Sequence, residues 1–354
     1  MLPAGMLRGG ARPATERSEV SKYRIIDFIR KSAAKERRRI VFSESQDPRI
    51  LQAAAIISRE AIASPVLVGN PKKVQASARS MGLSLSGIDI LETDSATTAR
   101  YAAQQLEGWR SQGTTVIEAR RRLEDPVYFA AAMVRAGDAD GLVGSGPQPA
   151  FKRAAILSVG LESQSLTVSR YFLMALPADR PGRAGAVVFA DSGDSGTPTG
   201  AHLAAIALAA AANVRRLLKC EPRVAFLSFS PVASLDFKNR FKSAESELHD
   251  RVMQASRTLR VRGPGLILDE KLQTDVAFTE DGTTGVPTSC GANTLVFADT
   301  EPGNLGHRLA QRVEGARVLG PMFQGLARPA NNLPSRYSVE DVVDLTAITA
   351  IEAQ

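Results

Sequence analysis

Short apolar runs alternate with longer amphipathic stretches along most of the chain. Arg39-Ile40-Val41-Phe42 leads into the polar Ser43-Glu44-Ser45, and a helical spacing of apolar positions then covers residues 48–63. Pro65-Val66-Leu67-Val68-Gly69 reads as a second buried strand closed by a glycine turn, with a helix opening at Pro71. Residues 88–91 and 139–144 supply a third and a fourth strand, and the second half repeats the pattern at 186–191, 224–228, 266–269 and 293–297. Short apolar strands separated by helices of about 10–15 residues predict parallel βαβ units and an α/β fold. Several of these strands end in Asp or Ser. In open α/β sheets ligands collect at the carboxyl ends of strands, so such ends mark either a site or ordinary helix N-caps.

A length of 354 residues, 44% hydrophobic and 23% charged, suits one large or two medium domains. No apolar run reaches the roughly 18–20 residues needed to span a bilayer, and the alanine-rich stretch 201–214 reads as a buried helix. The arginine-rich N-terminus has almost no acid before Glu16 and no apolar h-region, which argues against a secretory signal. A transit peptide is compositionally open but poorly served by Ser18 as the single serine of the first twenty residues. Residues 1–22 are expected to be a disordered extension of a cytoplasmic protein.

Cys220 and Cys290 lie far apart with no CxxC, and His202, His249 and His307 show no ligand spacing, so neither a disulfide framework nor a metal site is expected. The net charge of +7 raises the question of nucleic acid. The basic runs at 35–39 and 120–122 read as solvated helix faces and ends, and aromatics, at 5%, do not interleave with them as stacking on bases would require. An anionic small ligand accounts for the charge as well, since arginine is the usual bidentate partner of phosphate. There is no P-loop and no GxGxxG after a strand; Gly144-Ser145-Gly146 is too little for dinucleotide binding.

Longer motifs narrow the choice. Asp125-Pro126-Val127-Tyr128-Phe129, continuing through Met133-Val134-Arg135-Ala136-Gly137-Asp138-Ala139-Asp140-Gly141-Leu142-Val143, is similar to the DPxYF…MVxxGDADGLV signature of the phosphate acetyltransferase and butyryltransferase family. Residues 224–230 resemble its VAMLSFS strand, and Gly303-Asn304-Leu305-Gly306 with Ala310-Gln311-Arg312 its GNIxxxxAQR segment. Residues 320–331 resemble GPxxQGLxKPxN, and Ser338-Val339-Glu340-Asp341-Val342 follows in the family's order, so the likeness covers about residues 25–352.

The resemblance implies an isopropylmalate-dehydrogenase-like architecture: two three-layer α/β domains with mostly parallel sheets and a cleft between them. Domain I would comprise 23–165 plus 320–354 and domain II 166–319. It also implies a homodimer that uses coenzyme A (CoA) and an acyl phosphate as substrates, needs no cofactor or metal, and binds neither nucleic acid nor membrane. The implied reaction is acetyl-CoA + phosphate = acetyl phosphate + CoA, part of acetate metabolism. In the family an aspartate deprotonates the CoA thiol, the serine of an NDLSRG motif stabilises the transition state, and its arginine holds phosphate. Carried over by position, Asp341 is the base, and Arg49, Arg110 and Arg153 fall on CoA- or phosphate-binding positions.

The departures from the family lie where the site is expected. NDLSRG is replaced by Asn331-Asn332-Leu333-Pro334-Ser335-Arg336, so the Ser-Arg pair survives one residue later, as Ser335 and Arg336. Pro334 fixes its own φ and restricts Leu333, which forces a local rearrangement. The loop after Val143 is shortened, and the segments at 195–198, 230–235 and 269–273 also differ. Two readings follow: an acyltransferase with a displaced Ser335-Arg336 pair, or a non-catalytic homologue that binds CoA or acetyl phosphate as a regulator.

Overall fold

The computed structural model describes residues 22–354 apart from 94, 111–112, 163–164, 178–184, 194–196, 228–243, 270–291, 299–302, 304–305, 307, 310–311 and 313–314. The expected N-terminal extension up to residue 21, Cys290, His307 and the altered loops at 230–235 and 270–273 lie outside the described residues. The first half runs α1 (Arg24–Ala33), β1 (Arg39–Phe42), α2 (Pro48–Arg59), β2 (Ser64–Val68), α3 (Pro71–Ser80), β3 (Asp89–Leu91), α4 (Ser95–Trp109), α5 (Val116–Arg122), α6 (Pro126–Ala136), β4 (Gly141–Gly144) and α7 (Gln148–Ser158). Then follow β5 (Ser169–Ala175), β6 (Ala186–Asp191), α8 (Gly200–Leu218), β7 (Arg223–Leu227), α9 (Ala244–Arg262), β8 (Ile267–Asp269), β9 (Thr294–Phe297), β10 (Arg317–Gln324), β11 (Ala330–Asn332) and α10 (Val339–Glu352).

These strands form two sheets, in the orders β11-β4-β1-β2-β3 and β10-β5-β6-β9-β7-β8. The first is parallel throughout. Its strands β1, β2 and β4 are buried on both faces: Ile40, Phe42, Leu67 and Val143 point into one core, while Val41, Val66, Val68 and Leu142 point into the other. This alternation follows from the two-residue period of a strand, and it explains why these segments read as continuous apolar runs. Helices α1, α2 and α10 cover one face and α4, α6 and α7 the other, which makes three layers.

The second sheet is parallel through β6, β9, β7 and β8, but β5 runs antiparallel to both β6 and β10. The mostly parallel α/β architecture expected from the sequence is present, with this antiparallel edge as an addition. Residue 320, the expected start of the return to domain I, falls inside β10, which pairs with β5 in the second sheet. The chain regains the first sheet only at β11.

Local chemistry accounts for the helix starts. Asp47, Asn70 and Asp125 are N-caps that accept the backbone N–H of Arg49, Lys73 and Val127, and each is followed by a proline at the first helical position. The DP motif is therefore a helix start. α2 stops at Arg59, short of the expected residue 63, because Ala61 turns left-handed (φ 58°). Of the basic run at 35–39, residues 35–38 form the connection between α1 and β1 and Arg39 opens β1, whereas 120–122 forms the last turn of α5. α8 has the length and composition of a membrane-crossing helix. Its buried residues, among them Leu203, Ile206, Val214 and Leu217, join one continuous core with α1, α2 and α10.

Candidate active site

The strand order of the first sheet reverses between β1 and β4, since β1 pairs with β2 on one side and with β4 on the other. Loops leaving such strands diverge, and the gap between their carboxyl ends is where open α/β sheets place ligands. Here the gap is spanned by Glu44, just after β1. Its carboxylate accepts the backbone N–H of Ser145, just after β4, at 2.8 Å, and the hydroxyl of Ser43 at 2.8 Å. Burial pushes the Glu44 carboxyl up to about 7, against the opposing pull of those two hydrogen bonds. β11 ends beside them. Leu333 N–H donates to the Gly144 carbonyl at 2.7 Å, and Asn332 Nδ2 donates to that of Gly146 at 3.1 Å.

Against this end of the first sheet stands the β5–β10 edge of the second, and between them lies a cleft of about 550 Å³. The first sheet contributes Gly146, Pro147 and Gln148 between β4 and the start of α7 and Asn332 through Arg336 from the end of β11 onward; the second contributes Arg170, Phe172 and Arg317 through Pro321. Arg308, Asp341 and Leu345 complete the lining. Gly320 has φ +125°, and a Cβ there would stand 3.0 Å from the Tyr171 carbonyl, so the β10 wall approaches β5 as closely as it does only without a side chain. The Asn332 Oδ1 is buried and accepts no hydrogen bond among the described residues, leaving an acceptor at the cleft wall.

The cleft is basic, but its arginines are not equivalent. Arg170 is bound bidentately to Asp191 at 2.7 and 3.2 Å, in a pair with side chains only 9% and 2% exposed. Arg317 lies 2.6 Å from Asp344 Oδ2 and 3.4 Å from Asp341 Oδ1. Asp344 is held by Arg30 as well, at 2.6 Å; burial raises its carboxyl, and the two guanidinium groups oppose that rise. Arg308 and Arg336 are exposed and form no ion pair among the described residues. They are the cations free to meet an incoming anion.

Three of the six site residues expected from the sequence, Ser335, Arg336 and Asp341, line this one cleft. Asp341 is also the third residue of α10, in a capping box: its Oδ2 accepts the N–H and the hydroxyl of Ser338, each at 2.9 Å. Its other oxygen, Oδ1, is the one facing Arg317. Arg49, Arg110 and Arg153 are not part of the lining. Arg153 lies five residues along α7 from Gln148, on an exposed position, and Arg110 follows the last residue of α4. Arg49 is bound to Asp47 and Tyr337. Sequence reasoning missed Arg170, Arg308 and Arg317. For Arg170 a signal existed: a charge at the head of the apolar run Tyr171-Phe172-Leu173-Met174 must be paired if it is buried. Among the described residues, no group of three or more His, Cys, Asp or Glu side chains gathers as a metal site.

Two helix-covered sheets facing each other across an arginine-lined cleft, with the cleft at a strand-order switch point, make a site suited to a small anionic ligand. The model of the phosphate acetyl/butaryl transferase family matches residues 24–350. The chain belongs to that family. It is 34% identical over 322 residues to the phosphate acetyltransferase of Acetivibrio thermocellus, covering 89% of this chain and 94% of that one. It is 32% identical over 321 residues to that of Bacillus subtilis, covering 89% and 94%. Among solved structures, a phosphotransacetylase from Streptococcus pyogenes superposes with a TM-score of 0.82 at 28% identity, covering 93% of this chain and 98% of that one. The EutD phosphotransacetylase from Staphylococcus aureus gives 0.80 at 28%, covering 94% and 98%.

Proposed function

We propose that the chain transfers an acetyl or other short acyl group reversibly between CoA and phosphate, acetyl-CoA + phosphate = acetyl phosphate + CoA. The observation that carries this reading is the convergence of Ser335, Arg336 and Asp341 on one basic cleft despite the one-residue displacement of the motif. A free thiol has a pKa near about 8.5 and is mostly protonated at neutral pH, so a positioned carboxylate speeds its attack. In this reading Asp341 takes the CoA thiol proton and the thiolate attacks the acyl carbonyl. The Ser335 hydroxyl donates to the oxygen that gains charge, and phosphate leaves onto Arg336 and Arg308. No covalent enzyme intermediate is needed, and CoA is a substrate rather than a bound cofactor. Arg153 and Arg110, outside the cleft, are assigned to the far, anionic end of CoA. A homodimer and a cytoplasmic location belong to the same proposal, on the strength of family membership.

The test is direct: purified protein with CoA and acetyl, propionyl or butyryl phosphate, following thioester absorbance in the ultraviolet. Turnover with at least one acyl phosphate is the expected result. CoA binding by calorimetry with no turnover on any of the three would replace this reading with that of a regulatory homologue.

A further inference from the structure

The displaced Ser335-Arg336 pair is followed at once by Tyr337, and Tyr337 is gripped at three points by the start of α2, its N-cap Asp47 and Arg49. Its hydroxyl donates to Asp47 Oδ2 at 2.7 Å. Its ring lies under the Arg49 guanidinium, with Cζ 3.7 Å from the ring centroid. Its carbonyl accepts from Arg49 Nη1 at 3.2 Å. Arg49 is itself fixed, because Asp47 Oδ1 accepts from its Nε at 3.0 Å and Oδ2 accepts from its Nη2 at 2.7 Å. The Arg49 bonds, with the one from Tyr337, hold the Asp47 carboxyl down at about 2; burial and the bond it donates push the Tyr337 phenol up to about 12. On the other side of the pair, Leu333 is tied to Gly144 and Asn332 to Gly146. Pro334, Ser335 and Arg336 therefore span two fixed points with the cleft in front of them.

We propose that Tyr337, clamped by Asp47 and Arg49, is a positioning residue that sets where Arg336 meets the phosphoryl group. Arg49 then serves the phosphate end of the cleft through Tyr337 instead of contacting CoA. Three of the five guanidinium N–H groups are taken up by Asp47 and the Tyr337 carbonyl, and the stack sets both the guanidinium plane and that of the ring. The clamp supplies a physical means by which a one-residue shift of the motif leaves its side chains facing the cleft. This inference rests on the acyl-transfer reading above.

The test is a double-mutant cycle read in two ways: steady-state kinetics in the direction that consumes acetyl-CoA and phosphate, and calorimetric binding of inorganic phosphate. Tyr337→Phe keeps the stack and loses the bond to Asp47, whereas Tyr337→Ala loses both. We expect Tyr337→Ala to raise the KM and Kd for phosphate about 10-fold, with Tyr337→Phe in between and the KM for acetyl-CoA unchanged. In an Arg336→Ala background the Tyr337 substitutions should add nothing, because they act through Arg336. Arg49→Ala should reproduce the effect of Tyr337→Ala on phosphate. Full additivity with Arg336→Ala overturns the proposal, as does an Arg49→Ala variant that weakens CoA while leaving phosphate untouched. The calorimetric cycle does not need turnover, so a wild type without transferase activity sinks the functional reading and leaves the clamp to be judged by phosphate binding alone.

Discussion

At the scale of single residues the site separates groups that hold structure from groups free to react, and the two classes should respond differently to substitution. Asp341 belongs to both, through its cap to Ser338 and its place in the cleft. Asp341→Asn keeps a carbonyl oxygen to accept from Ser338 and removes the proton acceptor. It should fold normally and lose roughly 10²–10⁴-fold in kcat, the usual scale for a general base; an unchanged rate would take Asp341 out of the mechanism. Arg170 and Arg308 line the same cleft from opposite situations, one buried against Asp191 and one exposed. Arg170→Ala strands a buried carboxylate and should cost about 3–5 kcal/mol of stability. Arg308→Ala should stay within about 0.5 kcal/mol of wild type and instead raise the KM for phosphate. Thermal melts of the two variants beside their kinetics distinguish these roles, and equal destabilisation would refute the distinction.

At the scale of elements the close approaches are the sensitive points. β4 ends at Gly144, where a Cβ would sit 2.6 Å from both the Phe151 ring and the Ser43 hydroxyl. Gly144→Ala must therefore push α7 or the β1 loop away, at a cost of about 1–3 kcal/mol measurable as a lowered denaturant midpoint; a midpoint equal to wild type would show that the loop gives way freely. Elements of this first sheet were legible in the sequence because a strand buried on both faces between two helices reads as a bare apolar run. β5, β10 and β11 were not. β5 opens with Ser169 and Arg170, and β10 contains Gly320-Pro321, a breaker pair at which its register to β5 shifts. β11 is too short to show any period. The site divided in the same way. Its motif residues were readable from order along the chain, but the arginines supplied by β5 and β10 come from strands with no visible pattern, and the three-way contact of Asp47, Arg49 and Tyr337 joins residues about 290 positions apart.

At the scale of the whole molecule, α10 joins the two sheets. Its first turn borders the cleft, and at its last turn the Glu352 carboxylate accepts from Tyr171 of β5 and from Asn331 of β11, the latter at 2.6 Å. Burial raises this carboxyl to about 7, opposed by those two bonds and by the nearby Arg216. The folded state therefore favours the protonated form. The stability it contributes is complete below the unfolded value of about 4.5 and is lost as pH rises through about 7, and Glu44 acts with the same sign. Denaturant midpoints should fall across that window, and Glu352→Gln should flatten the fall; a profile identical to wild type would show that Glu352 does not titrate there. The position of this joint has a mechanical consequence. α10 is 14 residues long, a rod of roughly 21 Å from its pinned end to the mouth of the cleft. The cleft end is held as well, by Arg30 and Arg317 on Asp344 and by the Tyr337 clamp just before Ser338; a tilt of about 10° about Glu352 would carry Asp341 roughly 3 Å and would have to break those contacts. A rod tied at both ends is a strut: it keeps Asp341 at one reach from the joint of the two sheets, and loosening either end would blur that reach.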